Sequence, residues 1–293
     1  MTRALIETIS DALCPVIDRA NAGMKLAEIG DPRPGVGVGG DGLPQFAWTE
    51  WVPGGSFTMG SNESDKEALD NEKPEHLASF DCFRISKYPV TNKQFRAFVE
   101  ADDGWISDLV WSRKGLIWRE AVDIWQQGGV PDNFPCVNVS WYAAVAFANW
   151  TSVHCTLETG WKLRLPTEPE WERACRGTDG RRYPWGSECD SNKCNMKDTG
   201  IGGLCSVGIF PEGKSPLGAL DMSGGAWEWC FSISGPYPYD TNRETTESAG
   251  KRVIRGGAYN QDKTGVRCAI RREDSPEYSA GRITFRLVCV TKR

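Results

Sequence analysis

A chain of 293 residues with 40% hydrophobic and 25% charged residues can bury a substantial core, which argues against disorder and leaves one large domain or two small ones. A net charge of −5 and a pI near 5.3 provide no general attraction for phosphate backbones or anionic lipid, and no local basic patch replaces it. Arg3, Glu7, Asp11, Asp18 and Arg19 break up the first apolar stretch, and no later run has membrane-spanning length, so a cytoplasmic chain without nucleic-acid or membrane partners is expected.

Leu5, Ile9, Leu13, Val16, Ile17, Leu26 and Ile29 recur at roughly helical spacing with Pro15 between them, which predicts one or two short helices. Asp31 to Leu43 is dense in Gly and Pro and reads as a linker or irregular arm, dividing an N-terminal segment (1–43) from a main domain (44–293). Phe46 to Met59 alternates around Pro53-Gly54-Gly55 and reads as a hairpin, and Phe80 to Ile85 as a further strand. Thr91-Asn92-Lys93-Gln94 is a capping box ahead of Phe95, Phe98 and Val99; a second helix is expected from Ser140, and a third from Thr167-Glu168-Pro169-Glu170 to about Gly177. From Arg181 onward short strands and loops are expected. The prominence of Gly (32), Pro (17) and Trp (13) fits such a loop-rich α+β fold held by aromatic packing.

Eleven cysteines are an odd number at irregular spacing, so reduced and mostly buried thiols are expected in place of a disulfide scaffold. Cys189, Cys194 and Cys205 cluster without the tight pairs of a structural zinc site. His76 and His154 are too few for a three-histidine metal centre. Glu170, Glu172 and Asp221 are candidate carboxylates, for which caps and salt bridges are the simpler roles.

An ordered series of segments resembles the formylglycine-generating, or sulfatase-modifying-factor, family. They are Pro53 to Gly60 (PGGSFTMG), Tyr88-Pro89-Val90-Thr91-Asn92, Pro135 to Trp141 (PCVNVSW), Arg164 to Glu172 (RLPTEPEWE), Tyr183-Pro184-Trp185-Gly186, Gly225-Ala226-Trp227-Glu228-Trp229, Arg255-Gly256-Gly257 and Phe285-Arg286. The resemblance implies a C-type-lectin-like fold over about residues 46 to 290. It also implies where chemistry would sit. Family oxidases bind copper through a pair of cysteines shortly after the Gly-Gly turn, whereas Ala258 to Val266 contain none, and Cys268 lies in a segment outside that pair. The iron-dependent sulfoxide synthases of this fold draw histidine ligands from an added helical domain, and with its length and only two histidines this chain is not expected to share that site. Structural calcium is the one cofactor the resemblance leaves, with Asn195-Met196 resembling a ligand pair, while Gly225 stands where the family usually has Asn; at most one ion is expected.

A non-enzymatic, ligand-binding protein is therefore expected, resembling the variable proteins of diversity-generating retroelements. In those proteins the segment between an R-G-G turn and a terminal F-R strand displays mutable residues. The corresponding face here comprises Tyr259, Asn260, Gln261, Asp262, Thr264, Ile270, Arg272, Asp274, Ser275, Tyr278, Ser279, Gly281 and Arg282, with Ala258, Val266, Ala269, Ile283, Phe285 and Leu287 turned inward. Its partner would be a protein or other macromolecule. The alternative is an oxidase relative using other ligands, or an accessory subunit of one, acting on protein cysteine.

Overall fold

The computed structural model describes residues 1–125, 129–155, 160–248 and 250–291. Pro15 separates α1 (Thr2–Ser10) from α2 (Val16–Ile29), giving the two-helix version of the N-terminal expectation. Both helices pack Ile9, Val16 and Leu26 against Cys205, Ile209 and Phe210. The Gly/Pro arm that follows is irregular but docked. Val36 is buried, its carbonyl accepts from the Thr91 hydroxyl at 2.7 Å, and Arg33 donates to the Val207 carbonyl at 2.9 Å.

Helix starts follow side chains that satisfy otherwise orphaned amides. Thr91 and Gln94 cap α3 (Asn92–Glu100) reciprocally. Ser112 caps α4 (Arg113–Glu120), a helix not anticipated from the sequence because its apolar residues follow no clear period. Ser140 opens α5 (Trp141–His154), and Thr167 with Glu170 opens α6 (Glu168–Arg176), which stops at Gly177 with φ +70°. Helix α5 is buried around nearly its whole circumference, so it forms the centre of the main core, with Phe95, Phe98, Trp229 and Phe285 packed about it.

The strands are β1 (Gly55–Met59), β2 (His76–Phe80), β3 (Phe83–Ile85), β4 (Trp161–Arg164), β5 (Trp227–Ile233), β6 (Arg252–Arg255), β7 (Arg271–Asp274), β8 (Ile283–Phe285) and β9 (Val288–Thr291). The expected local hairpin is corrected: β1 pairs with β2, while Trp48 and Val52 bridge singly to Ser86 and Phe83. The turn residues instead bring Gly54 so close to Cys82 that a Cβ there would lie 3.1 Å from its amide nitrogen. The expected strand from Phe80 to Ile85 is the end of β2 followed by β3. Strand β9 runs antiparallel between β3 and β4, and the larger sheet has the order β7-β6-β5-β8, with β5 and β8 parallel.

One face of that larger sheet joins the α5 core. The other buries charge: Glu228 pairs with Arg286, Glu168 with Arg271, and Glu172 with Arg176 and Arg255. Among the described residues, no helix is long and apolar enough to cross a membrane.

Candidate ligand-binding face

Strand β6 ends in Arg255, after which Gly256 (φ +95°) and Gly257 (φ +80°) reverse the chain. A Cβ on Gly257 would lie 2.2 Å from the Gly265 carbonyl oxygen, so this turn requires glycine. The chain then surfaces at Tyr259, whose amide donates to the Gly225 carbonyl at 3.0 Å. Asp262 accepts from the Thr264 amide at 2.9 Å and the Thr264 hydroxyl at 2.6 Å, bonds that hold its carboxyl below the usual range and fix the loop. Asn260 and Asp262 are exposed; Tyr259, Gln261 and Thr264 are half-buried.

The next residues anchor the face from beneath. Val266, Cys268 and Ala269 are buried, as are Ala258, Ile283, Phe285 and Leu287. Ile270 is also buried, at 4% exposure, and packs in the α5 core, so its expected place on the face is corrected: it supports the surface and does not present to it. On β7 the alternation then divides two arginines. Arg271 turns inward to Glu168, and exposed Arg272 lies over the Trp227 indole, 5.1 Å from the ring centroid.

Ser275, Tyr278, Ser279, Gly281 and Arg282 are exposed and Asp274 half-buried. The Arg282 carbonyl accepts from the Trp227 amide at 2.9 Å, so the Gly225–Trp227 strip links the Tyr259 end of the face to its Arg282 end. The sequence reading missed Asn138. It is exposed, holds φ +57°, and its amide donates to the Ala280 carbonyl at 3.0 Å, which puts it at the edge of this surface. A non-glycine residue in that conformation is the signal structure reveals and sequence does not. Beside the face, a groove of about 490 Å³ opens where Ser275, Pro276 and Glu277 meet Lys114, Trp118 and Tyr142.

The remaining candidate residues have structural partners. Glu170 pairs with Arg164 and accepts from the Thr167 amide at 2.8 Å. Asp221 accepts from the Gly208 amide at 2.6 Å, and burial pushes its carboxyl up to about 6. His76 Nδ1 lies 2.9 Å from the Pro74 carbonyl oxygen, and His154 contacts Asp103 at 2.9 Å. Among the described residues, no group of three or more His, Cys, Asp or Glu is placed to hold a metal ion. Residues 258–267 offer no thiol, and Cys268 is 1% exposed beneath them, so the two-thiolate copper site of the resembled oxidases does not fit here. At the calcium candidate, the Asn195 Oδ1 is buried without a partner, and the Met196 carbonyl accepts from the Thr199 amide at 3.1 Å.

Residues 44–291 match the sulfatase-modifying factor enzyme 1-like domain. The chain belongs to that family. It is 32% identical over 285 residues to hercynine oxygenase from Mycolicibacterium smegmatis, covering 87% of this chain and 63% of that protein. It is 30% identical over 288 residues to the formylglycine-generating enzyme of Thermomonospora curvata, covering 80% of this chain and 91% of that one. In structure it resembles Treponema denticola variable protein 1, with a TM-score of 0.64, 20% identity and 84% and 95% of the two chains covered; that likeness is one of fold. The chain spans 54 to 63% of the length of the hercynine oxygenases it matches.

These relatives correct the expectation of a non-enzymatic protein. Proteins named for their catalytic activities share about 30% identity with this domain, so the family includes enzymes similar across most of the chain, and the missing cysteine pair removes one chemistry only.

Proposed function

We propose that the surface from Tyr259 to Arg282, with Asn138 at its edge, is where this sulfatase-modifying-factor-like domain recognises a protein or other macromolecular ligand. One observation carries the reading: buried anchors, from Ala258 through Val266 and Ile270 to Ile283, alternate along one segment with exposed Tyr, Arg, Asn and Ser side chains. Such a segment is rigid beneath and chemically varied above. Tyr provides amphipathic area at low entropy cost, Arg provides forked donors, and Asn and Ser adapt their hydrogen bonds.

The test replaces Tyr259, Arg272 and Tyr278 together with Ala. Removing the Arg272–Trp227 contact should cost about 0.5–1 kcal/mol of stability, whereas loss of hot-spot side chains costs about 2 kcal/mol or more in binding. The expected result is near-normal thermal unfolding with loss of the partner that the wild-type protein captures in a pulldown. A variant that stays folded and still captures it moves the binding face elsewhere. A near-copy of the DNA encoding residues 255–288, differing at adenines beside a reverse-transcriptase gene, would add that the face is diversified.

The identity shared with the formylglycine-generating enzyme favours a second reading, in which the domain acts on protein cysteine through ligands other than a thiolate pair, or assists an oxidase that does. Formylglycine formed in a cysteine-containing peptide incubated with the purified protein would select it.

A further inference from the structure

Strand β3 carries Arg84 between Phe83 and Ile85, both fully buried, so the arginine projects from the opposite face of the sheet, on the row that continues through Cys289 and Leu163. Its guanidinium carbon lies 4.8 Å from the Trp51 ring centroid and 5.2 Å from that of Trp48, contacts that hold the fork in place. Its Nε is buried without a hydrogen-bond partner. A cavity of about 300 Å³ opens beside it, walled by Phe46 and Trp48 and lined also by Asp41 and by His154 and Cys155 at the end of α5. Asp41 is exposed, and its Oδ1 accepts from the Leu43 amide at 3.0 Å, which fixes the carboxyl at the cavity. His154 is engaged by Asp103, and the Cys155 Sγ donates to the Pro44 carbonyl at 3.5 Å. Burial, and after it the Asp41 charge, push the Cys155 thiol up to about 11, so it stays neutral. Two opposite charges therefore line one cavity, and among the described residues they form no ion pair with each other.

We propose that this cavity binds a free aromatic amino acid, its carboxylate on the Arg84 fork, its ammonium facing Asp41 and its ring against Phe46 and Trp48. The site shares no residue with the 259–282 surface, so it goes beyond the binding reading and does not depend on it. The charges select the ligand. A carboxylate alone would meet Arg84 but also Asp41 and the carbonyl end of α5, both of which repel it, and an amine alone would meet the guanidinium. A zwitterion satisfies both ends, and the planar guanidinium matches a carboxylate through two parallel N–H donors. At about 300 Å³ the cavity stands at the small end of the range for ligand pockets, which suits a single amino acid and not a peptide.

Isothermal titration and saturation-transfer NMR of the full chain with phenylalanine, free tryptophan, phenylpropionate and phenylethylamine separate the parts played by the two charges. The expected result is saturable binding of phenylalanine or tryptophan. Phenylpropionate, which lacks the ammonium, and phenylethylamine, which lacks the carboxylate, should each bind more weakly by roughly tenfold or more, as loss of a charge-assisted bond implies. Asp41→Asn and Arg84→Gln should each weaken amino-acid binding by a similar factor, and in Arg84→Gln the preference for phenylalanine over phenylethylamine should disappear. Failure of both amino acids to bind up to their solubility limits would overturn the proposal. So would phenylpropionate binding as tightly as phenylalanine, or an Asp41→Asn variant that binds like wild type. Asp41 is exposed and Asn keeps the acceptor for Leu43, so that variant decides the matter even where Arg84→Gln folds poorly. Replacing Tyr259, Arg272 and Tyr278 by Ala should leave this binding intact, which separates failure of this site from failure of the 259–282 reading.

Discussion

Replacing Glu228 by Ala tests whether the buried charge network holds the scaffold beneath the candidate face. Glu228 is 1% exposed and takes Arg286 through both oxygens, Nε to Oε2 at 2.6 Å and Nη2 to Oε1 at 2.7 Å, while the Trp171 indole N–H donates to it at 2.7 Å. Without the carboxylate, Arg286 keeps only carbonyl partners, among them Leu220 at 2.9 Å and Ser86 at 3.0 Å, and the Trp171 donor loses its acceptor. Breaking one side of a buried pair costs about 3–5 kcal/mol, because an uncompensated charge is left behind. At about 2–4 °C per kcal/mol for a domain of this size, the melting temperature should fall by roughly 10 °C. The decisive comparison is Glu228→Leu/Arg286→Met, which removes both charges and should recover most of the loss, since an apolar pair of similar volume is often neutral. Urea unfolding followed by tryptophan fluorescence, with equal slopes for all variants, reports these differences. A Glu228→Ala protein within about 1 kcal/mol of wild type, or a double variant no more stable than the single one, would refute the reasoning.

The pH dependence of stability should separate two other carboxyls. Burial works to raise the Glu172 carboxyl, but the charges of Arg255 and Arg176 outweigh it and hold the group below its usual value of 4.5. Its contribution is therefore present above that value and lost as pH falls through the lower folded pKa. Glu172→Gln should be less stable near neutrality with a shallower acid-side decline in its urea midpoint, and an unchanged decline would contradict the assignment. Asp221 behaves oppositely: burial raises it from 3.8 to about 6, so stability is fully present below the unfolded value and lost as pH rises through the folded one. Asp221→Asn keeps an acceptor for Gly208 and suits φ +59°, so it should exceed wild type in melting temperature above that range and match it in acid; equal melting throughout would remove the effect. Elemental analysis of the purified chain should find at most one calcium per molecule, because Asn195 Oδ1 is the free buried oxygen at that candidate and Gly225 brings no side chain to a second; two ions would show that other oxygens complete the sites.

The parts of this fold that were legible in the sequence are those whose cause is local. Thr91, Ser140 and Thr167 each satisfy the amide three residues ahead, so the starts of α3, α5 and α6 could be placed from side-chain chemistry alone. The inward positions of the C-terminal segment were legible for a related reason, since small and apolar residues among diverse polar ones leave few ways to seat the chain. Ile270 fits that pattern, and treating it as a surface residue missed that it stands directly before β7, where Ile254 and Trp229 extend the same apolar layer. What failed was long-range. Nothing near Trp48 or Val52 shows that their partners are Ser86 and Phe83 in place of the residues across the Gly-Gly turn.

The question of catalysis failed for a different reason: the absence of one cysteine pair is a statement about one metal site, and a family built on a shared scaffold can place other chemistry on the same surface. The geometry sharpens that point. The chain leaves the Gly256-Gly257 turn at Tyr259 and presents Tyr, Asn and Gln between anchors at Ala258 and Val266. On the proposed reading, the scaffold fixes where a ligand can be met, and the side chains on those few positions determine whether it is held or transformed.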